Sequence, residues 1–253
     1  MVFDTLNLYH RSMEKENLME ETMSVNEIVS VGYAYENNMA RIAAMEEEFS
    51  HTIDPILRMY NAAMNLTAAR LNIIKDEFEF RSQRVPIHHI DTRLKSSKSI
   101  LGKLEKKGMT LSLTEACNNI YDIAGIRCVC PYIKDVYLIR DRIISQDDVH
   151  IIEIKDYIAS PKPNGYRSLH MIIRVPVYFM NKKQLVPVEI QIRTMAMDLW
   201  ASLEHDIKYK SISTNMDSLD AMEIDIEDEL LQAAELIYSA QQKLEILNSI
   251  IEK

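Results

Sequence analysis

The chain has 253 residues, 26% of them charged, and a formal net charge of −9; it is long enough to bury a substantial core in one domain with helical additions. The charge argues against a general nucleic-acid- or membrane-surface-binding protein, DNA included, while leaving room for a local basic pocket. Cys117, Cys128 and Cys130 make neither a disulfide framework nor a four-ligand metal set, and no apolar run has the length of a signal peptide or membrane span, so a reducing cytoplasm is the expected compartment.

Residues 1–36 are acidic, polar and aperiodic and read as a leader. From Asn37 to about Arg81, the apolar positions Ile42, Met45, Phe49, Ile53, Ile56 and Tyr60 recur at helical spacing. Asp54-Pro55 offers a break, so the segment reads as two helices or one kinked helix. A short extended piece follows at "PIHHIDTR". Then comes a helix that starts near Ser96–Ser97 and stops before Gly108, and a second short helix over Thr114–Tyr121.

The period then changes to that of strands. "GIRCVC" (Gly125–Cys130), "VHIIEI" (Val149–Ile154), "SLHMIIRVPVYF" (Ser168–Phe179) and "VPVEIQIR" (Val186–Arg193) are expected strands, with a helix between the first two and a hairpin at "MNKKQ" joining the last two. The fold class expected is α/β (α+β), a mixed sheet of four or five strands flanked by helices. "AMDLWASLEHDIKYK" returns to helix, and a polar loop, "SISTNMDSLD", leads to a last helix over Met222–Ile251. In it Leu230, Ala233, Ile237, Ala240, Leu244, Leu247 and Ile251 form a heptad stripe expected to pack within the chain. The domains read as 1–36, the leader; 37–215, the catalytic-sized body; and 216–253, the amphipathic C-terminal helix.

Three clusters could carry chemistry. Arg93, Lys95, Lys98, Lys103, Lys106 and Lys107 crowd into one short stretch of an acidic chain. They suit either a solvated helix face or a polyphosphate clamp without a P-loop, since no GxxxxGK[ST] is present. In "YDIAGIRCVC", Asp122 stands just before a strand that carries Arg127, a usual place for a magnesium carboxylate and also a common turn residue. Cys128 and Cys130 share one strand face and read as core. "SPKPNGYRSLH" (Ser160–His170) is a stiffened loop whose Tyr166 could stack on a base beside Lys162, Asn164 and Arg167. With Glu189 from another strand, these are the parts of a metal-dependent nucleotide-transfer site.

"YDIAGIRCV", "KPNGYRSLH" and "VEIQIRTMAMDLWASLEHDIKYK", in that order, closely resemble the synthetase domain of the RelA/SpoT-homologue superfamily over roughly Ile87–Lys210. The resemblance is to its stand-alone class, the small alarmone synthetases, without hydrolase or regulatory domains. It implies a nucleotidyltransferase-like fold and transfer of the β,γ-pyrophosphate of ATP to the 3′-hydroxyl of GDP or GTP. Asp122 and Glu189 would hold Mg2+, and Glu189 would also take the hydroxyl proton. Arg93 and Arg127 would sandwich adenine, and Lys95, Lys103 and Lys106 would grip the ATP phosphates. Tyr166 would stack on guanine, Lys162 and His170 would meet the acceptor phosphates or ribose, and Gln191, Asp198 and Glu204 would line the acceptor side. Arg193 is left between binding phosphate and orienting a carboxylate. A homotetramer is implied, with product (p)ppGpp raised as an allosteric ligand. The alternatives on the same scaffold are a relative acting on the 3′ end of tRNA or making an adenosine alarmone, and an inert nucleotide-sensing module; the negative charge speaks against tRNA.

Overall fold

The computed structural model describes the backbone of residues 25–213 and 225–251, and the side chains of 47–208 and 225–251. The chain divides into two compact units, Met1–Glu48 and Phe49–Lys253; the sheet and the cleft belong to the second. Most of the acidic leader, most of the "SISTNMDSLD" loop and the boundary drawn at 215/216 lie outside the described residues.

Helix α1 (Val25–Phe80) begins inside the stretch read as leader and continues without interruption through Pro55. A proline within a helix costs about 3 kcal/mol. The break does not open because Ile53 and Tyr60, on either side of it, are 1% and 2% exposed, and their burial holds the helix on the core across the missing N–H donor. Strand β1 (His89–Leu94) follows, then α2 (Ser97–Lys106), α3 (Leu113–Asn119), β2 (Ala124–Cys130), α4 (Ile133–Ile144), β3 (His150–Asp156), β4 (Leu169–Phe179), β5 (Lys182–Thr194), α5 (Met195–Ser213) and α6 (Ile226–Ile251). The helix starts are capped by local chemistry. Ser96 accepts from the Ser99 amide, Ser112 from Glu115, Thr194 from Met197, and Asp225 from Glu227 and Asp228.

The five strands lie in the order β1-β2-β5-β4-β3. The β2–β5 pair is parallel and the others are antiparallel, so the sheet is mixed as expected. The β4–β5 hairpin turns on Met180 and Asn181, at φ 50° and 60°, the two successive left-handed residues of a type I′ turn.

Because side chains alternate along a strand, the register decides what meets what. Val188, Ile190 and Ile192 of β5, Ile126 and Cys128 of β2, and Leu169, Met171 and Ile173 of β4 point to one face. They are almost wholly buried there with Leu71 of α1, Ile100 and Leu104 of α2 and Ile139 of α4. The opposite face carries two adjacent rows. One runs Asp91, Arg127, Gln191, His170 and Lys155 across all five strands; the other runs Arg93, Gly125, Glu189, Ile172 and Glu153. Nearly every polar strand residue singled out from sequence stands in one of these rows.

In α6 the buried positions are Leu230, Ala234 and Gln241. Leu244, Leu247 and Ile251 of the heptad stripe are 61%, 55% and 83% exposed. The first half of the stripe packs on its own chain; beyond Gln241 the contact shifts to the adjacent face, where Glu245 accepts from the Lys134 amide at the start of α4.

Candidate functional site

The β1, β2 and β5 members of these rows form the floor of a cleft of about 770 Å³, which is also lined by residues of α5, by Lys95 and Asp122, and by Tyr166 from the loop before β4. Gly125 stands between Arg93 and Glu189 in its row, so the floor is open where a side chain would divide it. Arg93 and Arg127 both line the cleft from neighbouring strands.

Asp122, just ahead of β2, meets Lys95 Nζ at 3.3 Å through Oδ2 and Lys103 Nζ at 2.8 Å through Oδ1. Each carboxylate oxygen of Asp122 therefore faces one ammonium group. Burial pushes the Asp122 carboxyl up, but Lys103 and Lys95 outweigh it and hold the group below the ordinary carboxylate range. In Glu189, too, burial raises the carboxyl. His170 and Gln191 reverse this and the net shift is downward, with the Asp122 charge opposing them. Both groups are ionised at neutral pH.

A closed circuit of side chains surrounds Glu189. His170 Nδ1 lies 3.3 Å from one carboxylate oxygen and Gln191 Nε2 donates to the other at 3.1 Å. The Tyr166 hydroxyl is 2.8 Å from His170 Nε2, and Arg193 donates to both the Tyr166 hydroxyl at 2.8 Å and Gln191 Oε1 at 2.6 Å. The donor inventory fixes the directions at Arg193 and Gln191, and the imidazole tautomer sets the rest. A guanidinium only donates, so Tyr166 accepts from Arg193; with the imidazole hydrogen on Nδ1, the Tyr166 hydroxyl donates to His170 Nε2 and His170 donates to Glu189. Two hydrogen-bonded arms therefore run from buried Arg193 to Glu189. Burial pushes the Tyr166 hydroxyl up despite Arg193, which keeps that proton available for donation.

Asp198 does not line the cleft. It bridges Arg127, at 3.1 Å, and Arg193, at 3.3 Å, so it joins the β2 side of the cleft to the Tyr166 side. Glu204 lines the cleft and is held by Asn164 at 3.2 Å and Lys208 at 2.8 Å. Lys162 places its ammonium 4.8 Å from the Tyr166 ring centre and 4.9 Å from that of Tyr157, a cation–π position on the outer side of the loop.

Of the basic stretch, Arg93 and Lys95 line the cleft and Lys103 reaches Asp122. Lys98 and Lys106 are exposed and outside the lining, and Lys107 turns back to the Asn119 carbonyl. Helical spacing puts only one side of α2 toward Asp122. Asp91 escaped the sequence reading: it faces Arg127 across the β1–β2 ladder and accepts from it at 2.9 Å. An acidic residue two places before Arg93 was its one visible signal, and it acquires meaning only once β1 is known to pair with β2.

Residues 92–214 match the family model described as a region found in RelA / SpoT proteins. The chain is 42% identical to the GTP pyrophosphokinase YwaC of Bacillus subtilis (strain 168) over 188 residues, which is 74% of this chain and 86% of that one. Among solved structures, it is similar to small alarmone synthetase 2 of Bacillus subtilis, with TM-score 0.65 and 40% identity over 76% of this chain and 97% of that one. It is also similar to small alarmone synthetase 1 of Bacillus subtilis bound to its product pppGpp, with TM-score 0.70 and 28% identity over 82% of this chain and all of that one.

Proposed function

We propose, for a chain that belongs to the RelA/SpoT family of GTP pyrophosphokinases, that it is a (p)ppGpp synthetase using ATP as donor and GDP or GTP as acceptor. The observation that carries the reading is the pairing, in one cleft, of two ionised carboxylates from neighbouring chain segments with a cationic wall on one side and the Tyr166 circuit on the other. Arg93 and Arg127 flank the donor base, where planar guanidinium groups stack and ammonium groups do not. Lys95 and Lys103 stand beside Asp122 on the side that the donor phosphates would occupy. Tyr166 receives the acceptor guanine, with Lys162 and His170 toward its phosphates and ribose and with Gln191 and Glu204 beside it. Glu189 accepts the proton of the 3′-hydroxyl. Its depressed pKa makes position, more than basicity, the source of its effect.

The same two carboxylates fit Mg2+. They are hard oxygen donors that line one cleft, and magnesium needs only one or two carboxylates when phosphates complete its shell. Bound there, the ion would offset charge on the transferring phosphates. A homotetramer is the assembly proposed, supported by the exposed apolar end of α6 at Leu244, Leu247 and Ile251; light scattering in solution tests it.

The deciding experiment supplies ATP, MgCl2 and, separately, GDP, GTP, GMP, ATP or tRNA as acceptor. AMP and a 3′-pyrophosphorylated guanosine nucleotide are expected. Label that appears only on tRNA overturns the assignment. No helix among the described residues is long and apolar enough to cross a membrane.

A further inference from the structure

Tyr166 lies between two residues that are docked on α6, not on the sheet. Gly165 sits at φ +83°, and a Cβ added to it would stand 2.4 Å from Ala234 Cβ and 3.3 Å from a methyl of Leu231. No side chain fits between the loop and the helix. Arg167, 8% exposed, ties the other side of Tyr166 down: it donates to Glu235 on α6 at 2.8 Å and to the Gly165 carbonyl at 3.2 Å, and its guanidinium lies 4.2 Å from the Tyr238 ring centre. Leu231, Ala234, Glu235 and Tyr238 fall on one face of the helix by their three- and four-residue spacing. The Tyr166 ring itself packs against the small cluster of Trp200, Leu230 and Ala234, with its centre 6.3 Å from that of Trp200. Trp200 donates from its indole to the Leu230 carbonyl, and Thr194, at the end of β5, donates to Gln241. Helix α6 is therefore bonded to the end of β5, to α5 and to the loop at once.

We propose that the first half of α6 sets the position of the acceptor-stacking ring, with Arg167 and Glu235 as its latch, so that Arg167 is a positioning residue that acts through Tyr166. The inference rests on the acceptor role given to Tyr166 above. An ion pair with one exposed partner contributes little by itself. Here the other partner is a buried guanidinium whose Nε has no bond, so Glu235 is the carboxylate that keeps that charge in place, and losing it releases the loop. The donor half of the cleft, built from β1, β2 and α2, has no part in the latch.

Glu235 is 58% exposed, which makes it the safer residue to change. Glu235→Gln, Arg167→Gln and the double variant are compared by steady-state kinetics with GDP and GTP, and by hydrogen exchange of the nucleotide-free protein. Each single change is expected to raise the acceptor KM about fivefold with the ATP KM within about twofold, and the double variant to match the worse single change because the two act through one contact. Loop amides, including Lys162 and Gly165, should exchange faster while α1 and the sheet keep wild-type protection. Equal losses for ATP and acceptor, additive losses in the double variant, or unchanged loop exchange in Glu235→Gln would each overturn the latch. A wild-type enzyme that ignores guanosine nucleotides would overturn the function assigned above, while the exchange measurement would still decide the latch.

Discussion

Arg193 donates a 2.8 Å hydrogen bond to the hydroxyl of Tyr166, 27 positions away in sequence. The arginine is 8% exposed, and the same guanidinium nitrogen also reaches Gln191. Its bonds to Tyr166 and Gln191 both lead on to Glu189, and a third bond pairs it directly with Asp198 at 3.3 Å. Arg193→Lys keeps a charge but cannot span Tyr166, Gln191 and Asp198 together. A fall in kcat/KM for the acceptor of roughly a hundredfold is expected, as for loss of several charge-assisted hydrogen bonds. The ATP KM should stay within about threefold, and an ATP KM that rises in step would place Arg193 on the donor side.

Glu189→Gln preserves shape and removes the carboxylate charge. Turnover should fall by at least about a thousandfold, since a general base contributes roughly 10²–10⁴ and a metal-binding oxygen is weakened as well. Binding of a non-hydrolysable ATP analogue, followed by calorimetry, should change only several-fold. A variant with near wild-type turnover would remove Glu189 from the chemistry.

Tyr166→Phe and Tyr166→Ala separate the ring from the hydroxyl. The phenylalanine keeps the stacking face but breaks the His170 arm to Glu189, so it should lower kcat with little effect on acceptor KM. The alanine should also raise acceptor KM by about tenfold or more, the value of one base–aromatic stack. Identical kinetics in the two variants would deny the hydroxyl any part.

Lys103 and Lys106 are three residues apart on α2 and should behave differently. Lys103→Ala removes the ammonium 2.8 Å from Asp122 and should cost about tenfold or more in kcat/KM for ATP. Lys106→Ala changes an exposed side chain outside the cleft lining and is expected to stay within about twofold. An equal loss at both positions would mean that the donor phosphates extend along α2 beyond the cleft.

Asp122 has a pH signature in stability. Its folded-state pKa lies below its ordinary value of 3.8, because the two lysines overcome the opposing effect of burial. A depressed carboxylate favours folding above its unfolded pKa, and that contribution disappears as the pH falls through the folded-state value. In metal-free buffer the Tm difference between wild type and Asp122→Asn should be largest above the ordinary value of 3.8 and should shrink as the pH falls below it. A difference independent of pH over that range would argue that the lysine pairing contributes nothing.

The sequence by itself determined which residues belong to which face. Val188, Ile190 and Ile192 alternate with Glu189, Gln191 and Arg193, and a period of two says that one set is buried and the other shares a surface. Serine caps, the glycine after α2 and the order of three motifs were equally local signals, and they were enough to place four of the five strands and most helices and to single out Asp122 and Glu189 as candidates. Pro55 left two helices or one open as readings, and the structure has one, with Ile53 and Tyr60 buried on either side of the proline. Only the tertiary structure decided the partners. Asp91 meets Arg127 because β1 pairs antiparallel with β2, Asp198 became a bridge because α5 brings it between two arginines, and Glu235 reaches Arg167 across 68 positions of chain. These contacts depend on which strand neighbours which and which helix covers the loop. Packing of the whole core sets that choice, and no window of sequence a few residues wide contains it.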